Sequence, residues 1–266
     1  MIDNPRSPSV RAVAKLAKRE ARAGTGLFLL EGPQAVAEAL TFRPELIVDL
    51  FATPTALERY SEIARGAAEA GIEVEFVTEQ VLDAMADTVT PQGVIAVCRQ
   101  FPTSIKDILG GEPKLIAILE EVRDPGNAGT IIRAADAAGA DAVIFTGRSV
   151  DVYNPKVVRA TTGSLFHIPV AVGAELESVV EKTKAAGLQV IAAVIKGADL
   201  LTARRSGALA GPTAWLFGNE ARGLSEEHYA LADRVIAVPI YGHAESMNLA
   251  TAASVCLYES AFAQRS

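Results

Sequence analysis

Val238-Pro239-Ile240-Tyr241-Gly242-His243-Ala244-Glu245-Ser246-Met247-Asn248-Leu249 leaves a β-strand at proline, loops through glycine and re-enters a helix at Ser-x-Asn. Such a stretch builds a pocket from backbone, with free amides and carbonyls in the loop and small polar side chains at the helix start. Two upstream segments share this character: Asn127-Ala128-Gly129 through Arg133, and Gly218-Asn219-Glu220 through Gly223. The three follow the predicted strands Leu115–Leu119, Thr213–Phe217 and Arg234–Val238, short and near-continuously apolar as buried parallel strands are. Ligands of open parallel sheets bind beyond the carboxyl ends of the strands, so one site assembled from three strand ends is expected.

Further strands are predicted at Asp141–Phe145, His167–Val170 and Gln189–Ala193, and helices at Gly129–Ala138, Pro155–Thr161, Glu175–Ala186, Ser225–Ala230 and Ser246–Ala263. Upstream, Leu27–Gly32, Ile47–Phe51, Glu73–Val77 and Gly93–Cys98 read as strands. They alternate with helices at 34–40, Thr55–Ala70 and Glu79–Ala86, giving a small α/β domain with partly parallel pairing. Turn formers between Phe101-Pro102 and Glu112-Pro113 mark a linker. The expected division is therefore residues 1–101, a linker at 102–113, and residues 114–266.

Half of the 266 residues are apolar and aromatics are few, a balance that favours helices packed on a sheet over an all-β sandwich. No apolar run approaches the ~20 residues that span a bilayer, and the N-terminus lacks an apolar signal core. Cys98 and Cys256 lie in apolar stretches and read as buried, unpaired thiols of a reduced, cytoplasmic protein. His167, His228 and His243 lack ligand spacing, so no metal is expected.

The formal charge of −7 hides a basic segment. Arg11, Lys15, Lys18 and Arg22 fall at i, i+4, i+7 and i+11, on one helical face, with Arg19 beside them and Val10, Val13, Leu16 and Ala17 opposite. This is either an ordinary solvated face or a phosphate-binding stripe.

Around Asn127 the chain reads Arg123-Asp124-Pro125-Gly126-Asn127-Ala128-Gly129-Thr130-Ile131-Ile132-Arg133. Its glycines form neither a dinucleotide fingerprint nor a P-loop, and the plain reading is an Asn-capped helix with a surface Arg. In Gly218-Asn219-Glu220-Ala221-Arg222-Gly223, Gly218 lets a flat ligand approach the backbone, and Glu220 is a candidate acid, base or orienting acceptor. The plain reading there is a surface turn with a rim ion pair.

Taken together, Asn-x-Gly-x-x-x-Arg, Gly-x-Glu-x-x-Gly and Pro-x-x-Gly-x-x-x-Ser-x-Asn resemble the three signature motifs of SpoU-type RNA ribose 2′-O-methyltransferases, in the SPOUT class. The run Asp151-Val152-Tyr153-Asn154-Pro155-Lys156-Val157-Val158-Arg159-Ala160 and the following Gly163-Ser164-Leu165-Phe166 are similar to that family as well. So, more loosely, are the basic helix before Leu30-Glu31-Gly32 and the segment Thr90-Pro91-Gln92-Gly93-Val94, which resemble its substrate-binding domain.

The resemblance implies an α/β protein in which a knotted (trefoil) parallel-sheet SPOUT methyltransferase domain follows a small α/β RNA-binding domain. It implies S-adenosylmethionine as cofactor, held by Gly218, Val238, Ile240, Met247 and Asn248, with Met247 standing where the family usually has Leu. Arg133, Asn127, Glu220, Ser246 and Asn248 become the catalytic set, and Arg11, Lys15, Lys18, Arg19 and Arg22 the RNA-binding set. It also implies a homodimer, for which the last helix offers Val255, Leu257 and Tyr258. The expected activity is 2′-O-methylation of a ribose in structured RNA, with 23S ribosomal RNA favoured by the separate N-terminal domain. Alternatives are a tRNA ribose methyltransferase and a non-catalytic RNA-binding protein of the same fold. A base methyltransferase is disfavoured by Ser246-x-Asn248, and a dinucleotide oxidoreductase by the missing glycine fingerprint.

Overall fold

The computed structural model describes all 266 residues, Met1–Ser266. The chain opens with α1 (Pro8–Lys15), α2 (Arg19–Thr25), β1 (Leu27–Glu31), α3 (Pro33–Phe42), β2 (Ile47–Ala52), α4 (Pro54–Arg59) and α5 (Ser61–Ala70). Then come β3 (Val74–Phe76), α6 (Glu79–Met85), β4 (Val94–Arg99), α7 (Ile105–Gly110), β5 (Leu115–Glu120), α8 (Pro125–Ala138), β6 (Ala142–Thr146) and α9 (Pro155–Thr161). The remainder is β7 (Val170–Ala174), α10 (Leu176–Ala185), β8 (Gln189–Asp199), α11 (Leu200–Arg205), β9 (Thr213–Phe217), α12 (Glu226–Ala230), β10 (Arg234–Ala237) and α13 (Leu249–Gln264). None of these helices is long and apolar enough to cross a membrane.

The chain forms two compact units. Met1–Phe101 with Asp151–His167 makes the first, and Pro102–Val150 with Ile168–Ser266 the second. Asp151–His167, which the sequence reading put within residues 114–266, thus belongs with the N-terminal strands. Its α9 packs on β1, and Phe166 and Tyr153 join Phe28 and Phe101 in an aromatic cluster. Tyr153 accepts the Phe101 N–H at 2.8 Å, and burial pushes its hydroxyl up to about 12.

In the first unit the sheet runs β1-β4-β2-β3, with β4 antiparallel to both neighbours and β2 parallel to β3. Val10, Val13 and Leu16 pack with Val81, Leu82 and Met85 of α6 over one face. In the second unit the sheet runs β10-β8-β9-β5-β6-β7 and every pairing is parallel. All residues of β5 and β9 are buried, which is why both read as nearly continuous apolar runs, with Glu120 and Thr213 the polar residues at their ends. Buried Cys98 and Cys256 are free thiols, and desolvation pushes each up to about 12, which leaves them inert.

Several elements depart from expectation for local reasons. The region read as a linker contains α7, capped by Ser104, because Ile105, Ile108 and Leu109 pack on the second core and outweigh the flanking turn formers. The helix expected over Thr55–Ala70 breaks at Tyr60, whose backbone leaves the helical region (φ −118°, ψ 63°). β7 begins at Val170, after Ser164–Phe166 has formed a 3₁₀ turn.

The basic helix is two helices. Lys18 is extended between α1 and α2, and Arg22 turns back into the gap, only 2% exposed. Its guanidinium donates to the Leu16 and Ala17 carbonyls at 2.8 and 2.9 Å, closing the C-terminus of α1, and pairs with Asp151 at 2.6 Å. The single-face stripe is therefore not formed, and Arg22 is withdrawn from the RNA-binding set by burial. Arg11, Lys15, Lys18 and Arg19 remain exposed. Removing one partner of a buried charge pair strands the other, so Arg22→Ala should cost about 3–5 kcal/mol in urea unfolding of the full chain. Lys15→Ala should shift stability by under ~0.5 kcal/mol. Equal midpoints for both variants would refute the role given to Arg22.

Candidate active site

The three polar segments expected to form one site all lie at the carboxyl ends of strands in the second unit. β5 delivers the first. After Glu120 the chain turns at Glu121 with φ 50°, a left-handed conformation uncommon for a non-glycine residue. Asp124 then caps α8, accepting the Asn127 N–H at 2.7 Å, with Pro125 in the first turn where no N–H is needed. The cap is thus Asp124 and not Asn127, whose side chain is left for another task. Arg133 lies six residues further along α8, exposed.

The second segment follows β9. Glu220 accepts the N–H of Arg123 at 3.2 Å and of Asp124 at 2.9 Å, so its carboxylate holds the backbone that leads into α8. Asn219 donates to the Glu121 carbonyl at 2.8 Å and accepts from the Ala221 and Arg222 N–H groups. Gly218 is required by close approach, since a Cβ there would overlap the backbone of Gly223 and Leu224. The rim ion pair foreseen for this turn joins Arg222 to Glu121 at 2.6 Å, with Arg123 at 3.4 Å from the same oxygen.

The third segment follows β10. Asn248 caps α13 through its Oδ1, which takes the Ala250 and Thr251 N–H groups, while its Nδ2 donates to Asn127 Oδ1 at 2.9 Å. One amide therefore closes a helix and ties the third segment to the first. From Ile240 to Met247 the backbone N–H and C=O groups make no hydrogen bond within the chain. Val238 and Met247 are half-buried, and Ile240 and Ser246 are exposed. α13 starts at Leu249 rather than Ser246, which puts Ser246 in the loop. Trp215 of β9 donates to buried Ser260 at 2.9 Å and seats α13 on the sheet.

Sequence reasoning did not assign Asn219, Asp124 or Glu121 to the site. Asp-Pro ahead of a helix is a readable cap signal that would have found Asp124. The contacts of Asn219 and Glu121 join residues 98 positions apart and leave no local trace.

The arrangement defines a parallel α/β protein whose candidate ligand site is made of interlocked strand-end loops. Residues 114–258 match the SpoU rRNA methylase family, and residues 29–104 match the RNA 2′-O ribose methyltransferase substrate binding family. Over 262 residues the chain is 33% identical to a Bacillus subtilis protein named 23S rRNA (guanosine(2553)-2′-O)-methyltransferase RlmP, covering 97% of each. A structure of an AdoMet-bound rRNA methyltransferase from Sinorhizobium meliloti matches with a TM-score of 0.84 at 33% identity, covering 97% of this chain and 96% of that one. The SpoU methyltransferase AviRb of Streptomyces viridochromogenes, in complex with AdoMet, matches with a TM-score of 0.83 at 30% identity, covering 97% and 99%. The chain belongs to the SpoU rRNA methylase family.

Glu220→Ala would leave the Arg123 and Asp124 amides without their acceptor. Losing a charged acceptor for backbone N–H groups costs about 1–3 kcal/mol, and the cost should appear locally as faster hydrogen exchange at Arg123, Asp124 and the first turn of α8. Unchanged exchange there would show that the carboxylate does not hold the helix.

Proposed function

We propose that this chain transfers a methyl group from S-adenosylmethionine to a ribose 2′-hydroxyl of 23S ribosomal RNA. The observation that carries the reading is the interlocking of all three motif loops at one sheet edge, through Asn127–Asn248 and through Glu220 on the backbone before α8. Ribosomal RNA is favoured over tRNA because the relative named for 23S rRNA matches along nearly the whole chain, both units included. In this reading the loop between β10 and α13 is the crossing of a trefoil knot, and the protein is a cytoplasmic homodimer. Tyr258 and Phe262 of α13 supply the dimer contact, with ring centroids 5.5 Å apart and both side chains exposed. Leu257 is fully buried in its own subunit and is not available for it.

The residues present suit the cofactor. Ile240–Met247 offers backbone donors and acceptors that nothing else in the chain uses, flanked by half-buried Val238 and Met247. A flat heterocycle with polar edges needs such a combination, and Gly218 keeps backbone, without a side chain, at the end of β9. S-adenosylmethionine supplies an electrophilic methyl group when bound.

The protein's share of the chemistry is positioning and charge. A guanidinium carries only N–H donors and no acceptor, so Arg133 has no atom suited to take the hydroxyl proton. It therefore acts as a cation: it holds an RNA phosphate and stabilises the oxygen as the 2′-hydroxyl loses its proton to phosphate or water. Glu220 contributes by fixing the start of α8, which carries Arg133. Asn127 and Asn248 lock the loops against one another, and Ser246 faces substrate. Exposed Arg11, Lys15, Lys18 and Arg19 make phosphate contacts.

Arg133→Ala should lower kcat by about 10²–10³ while the Kd for S-adenosylmethionine, read by calorimetry, stays within twofold or so. Equal turnover would remove Arg133 from catalysis. Lys15→Glu with Arg19→Glu should weaken RNA binding and flatten the log K against log[salt] slope by about 2, one for each lost phosphate contact. A slope equal to that of the wild type would make these side chains ordinary solvated cations.

A further inference from the structure

The first unit holds a cleft of about 250 Å³ lined by Glu31, Gly32, Thr90, Pro91, Gln92 and Arg159. Its geometry points to a second substrate-binding site: we infer that it receives one unstacked nucleobase of the RNA. This inference rests on the RNA-methyltransferase reading and adds to it a base-binding subsite outside the loops that carry the methyl-transfer chemistry.

The wall of the cleft is preorganised. Arg159 is clamped at both ends, Nη1 to Glu31 at 2.8 Å and Nη2 to Asp87 at 2.9 Å, so its plane is fixed while about a third of the side chain stays exposed. The second Glu31 oxygen accepts the Asp87 and Thr88 N–H groups, both at 3.1 Å, which ties the 87–92 loop to the end of β1. A fixed guanidinium plane is a stacking surface for a base.

Charge decides what the cleft takes. Glu31 and Arg159 are the charged residues of the lining, and the guanidinium is already paired with Glu31 and, behind it, Asp87, so the wall carries no unpaired cation. A phosphate would find no free cation there, whereas a neutral flat heterocycle needs none. Size agrees, since the volume lies below the ~300–1,000 Å³ typical of drug-sized ligands and suits a single base better than a longer segment.

Groups for reading an edge are on hand. The Gln92 amide lies beside Gly32, with Oε1 3.6 Å from where a Cβ would stand, and both Gln92 and Thr90 are exposed. Gly32 itself has φ 95° and opens α3 without a side-chain cap, leaving the first-turn N–H groups for an outside acceptor. Gly32 thus serves both as the turn and as the floor.

The test uses the full chain, ribosomal RNA and the variants Gln92→Ala and Thr90→Ala, both on an exposed loop. The expected result is a KM for RNA raised about tenfold in the double variant, with kcat and S-adenosylmethionine affinity unchanged. The salt slope should stay at the wild-type value, because no phosphate contact is lost. In parallel, the Gln92 side-chain amide signal of the wild type should shift in NMR titration with guanosine, adenosine, cytidine or uridine, and not with inorganic phosphate. An unchanged KM in an active double variant would overturn the cleft while leaving the methyltransferase reading intact. A wild type that methylates no RNA would overturn that reading, and nucleoside titration would then decide the cleft by itself. Shifts with phosphate alone, or with nothing, would overturn it.

Discussion

A wholly parallel sheet sends all its strand ends to one edge, and the loops there must satisfy one another's polar groups or leave them to a ligand. In this chain the Glu220 carboxylate settles most of that requirement. By accepting the N–H groups of Arg123 and Asp124 it fixes the approach to α8, and Asp124 then caps the helix. Asn127 is thereby released from capping and can accept from Asn248. The position of α8, the lock between the first and third loops, and the start of α13 all follow from a carboxylate with two backbone donors.

The same logic supports the proposal that the loop after β10 is the ligand-facing one. The loops after β5 and β9 consume their polar groups in binding each other, whereas Ile240–Met247 makes no backbone–backbone hydrogen bond and leaves those groups open to solvent. Unpaired backbone on a scaffold this well braced is the usual character of a recognition loop. The bracing is also steric, since Gly218 allows the two arms of its own turn to close with no room for a side chain.

Much of this was legible in the sequence because it is carried by local signals. Apolar runs marked β5 and β9, and Gly, Pro and Asn marked the loops at their ends. What the sequence concealed was long-range. Asp151–His167 reads as part of the C-terminal half, yet Asp151 pairs with Arg22 across 129 positions and Arg159 with Glu31 across 128. Helical spacing also aligned Arg22 with Arg11 and Lys15 on one face, although capping of α1 by Arg22 breaks that helix. Periodicity reports which residues could share a face, not which side chain will fold back to satisfy a helix end.

Arg22 and Arg159 illustrate how an acidic protein can present a cationic surface. Of the basic residues in the first unit that the motifs single out, these two are neutralised by Asp151, Glu31 and Asp87 and serve to anchor Asp151–His167. Pairing removes their field at the distance of a phosphate, so counting them as phosphate contacts would overstate the electrostatic attraction. Arg11, Lys15, Lys18 and Arg19 remain exposed, grouped where α1 gives way to α2. The net charge of −7 therefore sets neither attraction nor repulsion at that patch, because interactions beyond about 10 Å are screened at physiological salt. Which arginine is free to meet a phosphate depends on which already has a carboxylate, and the fold settles that before any substrate arrives.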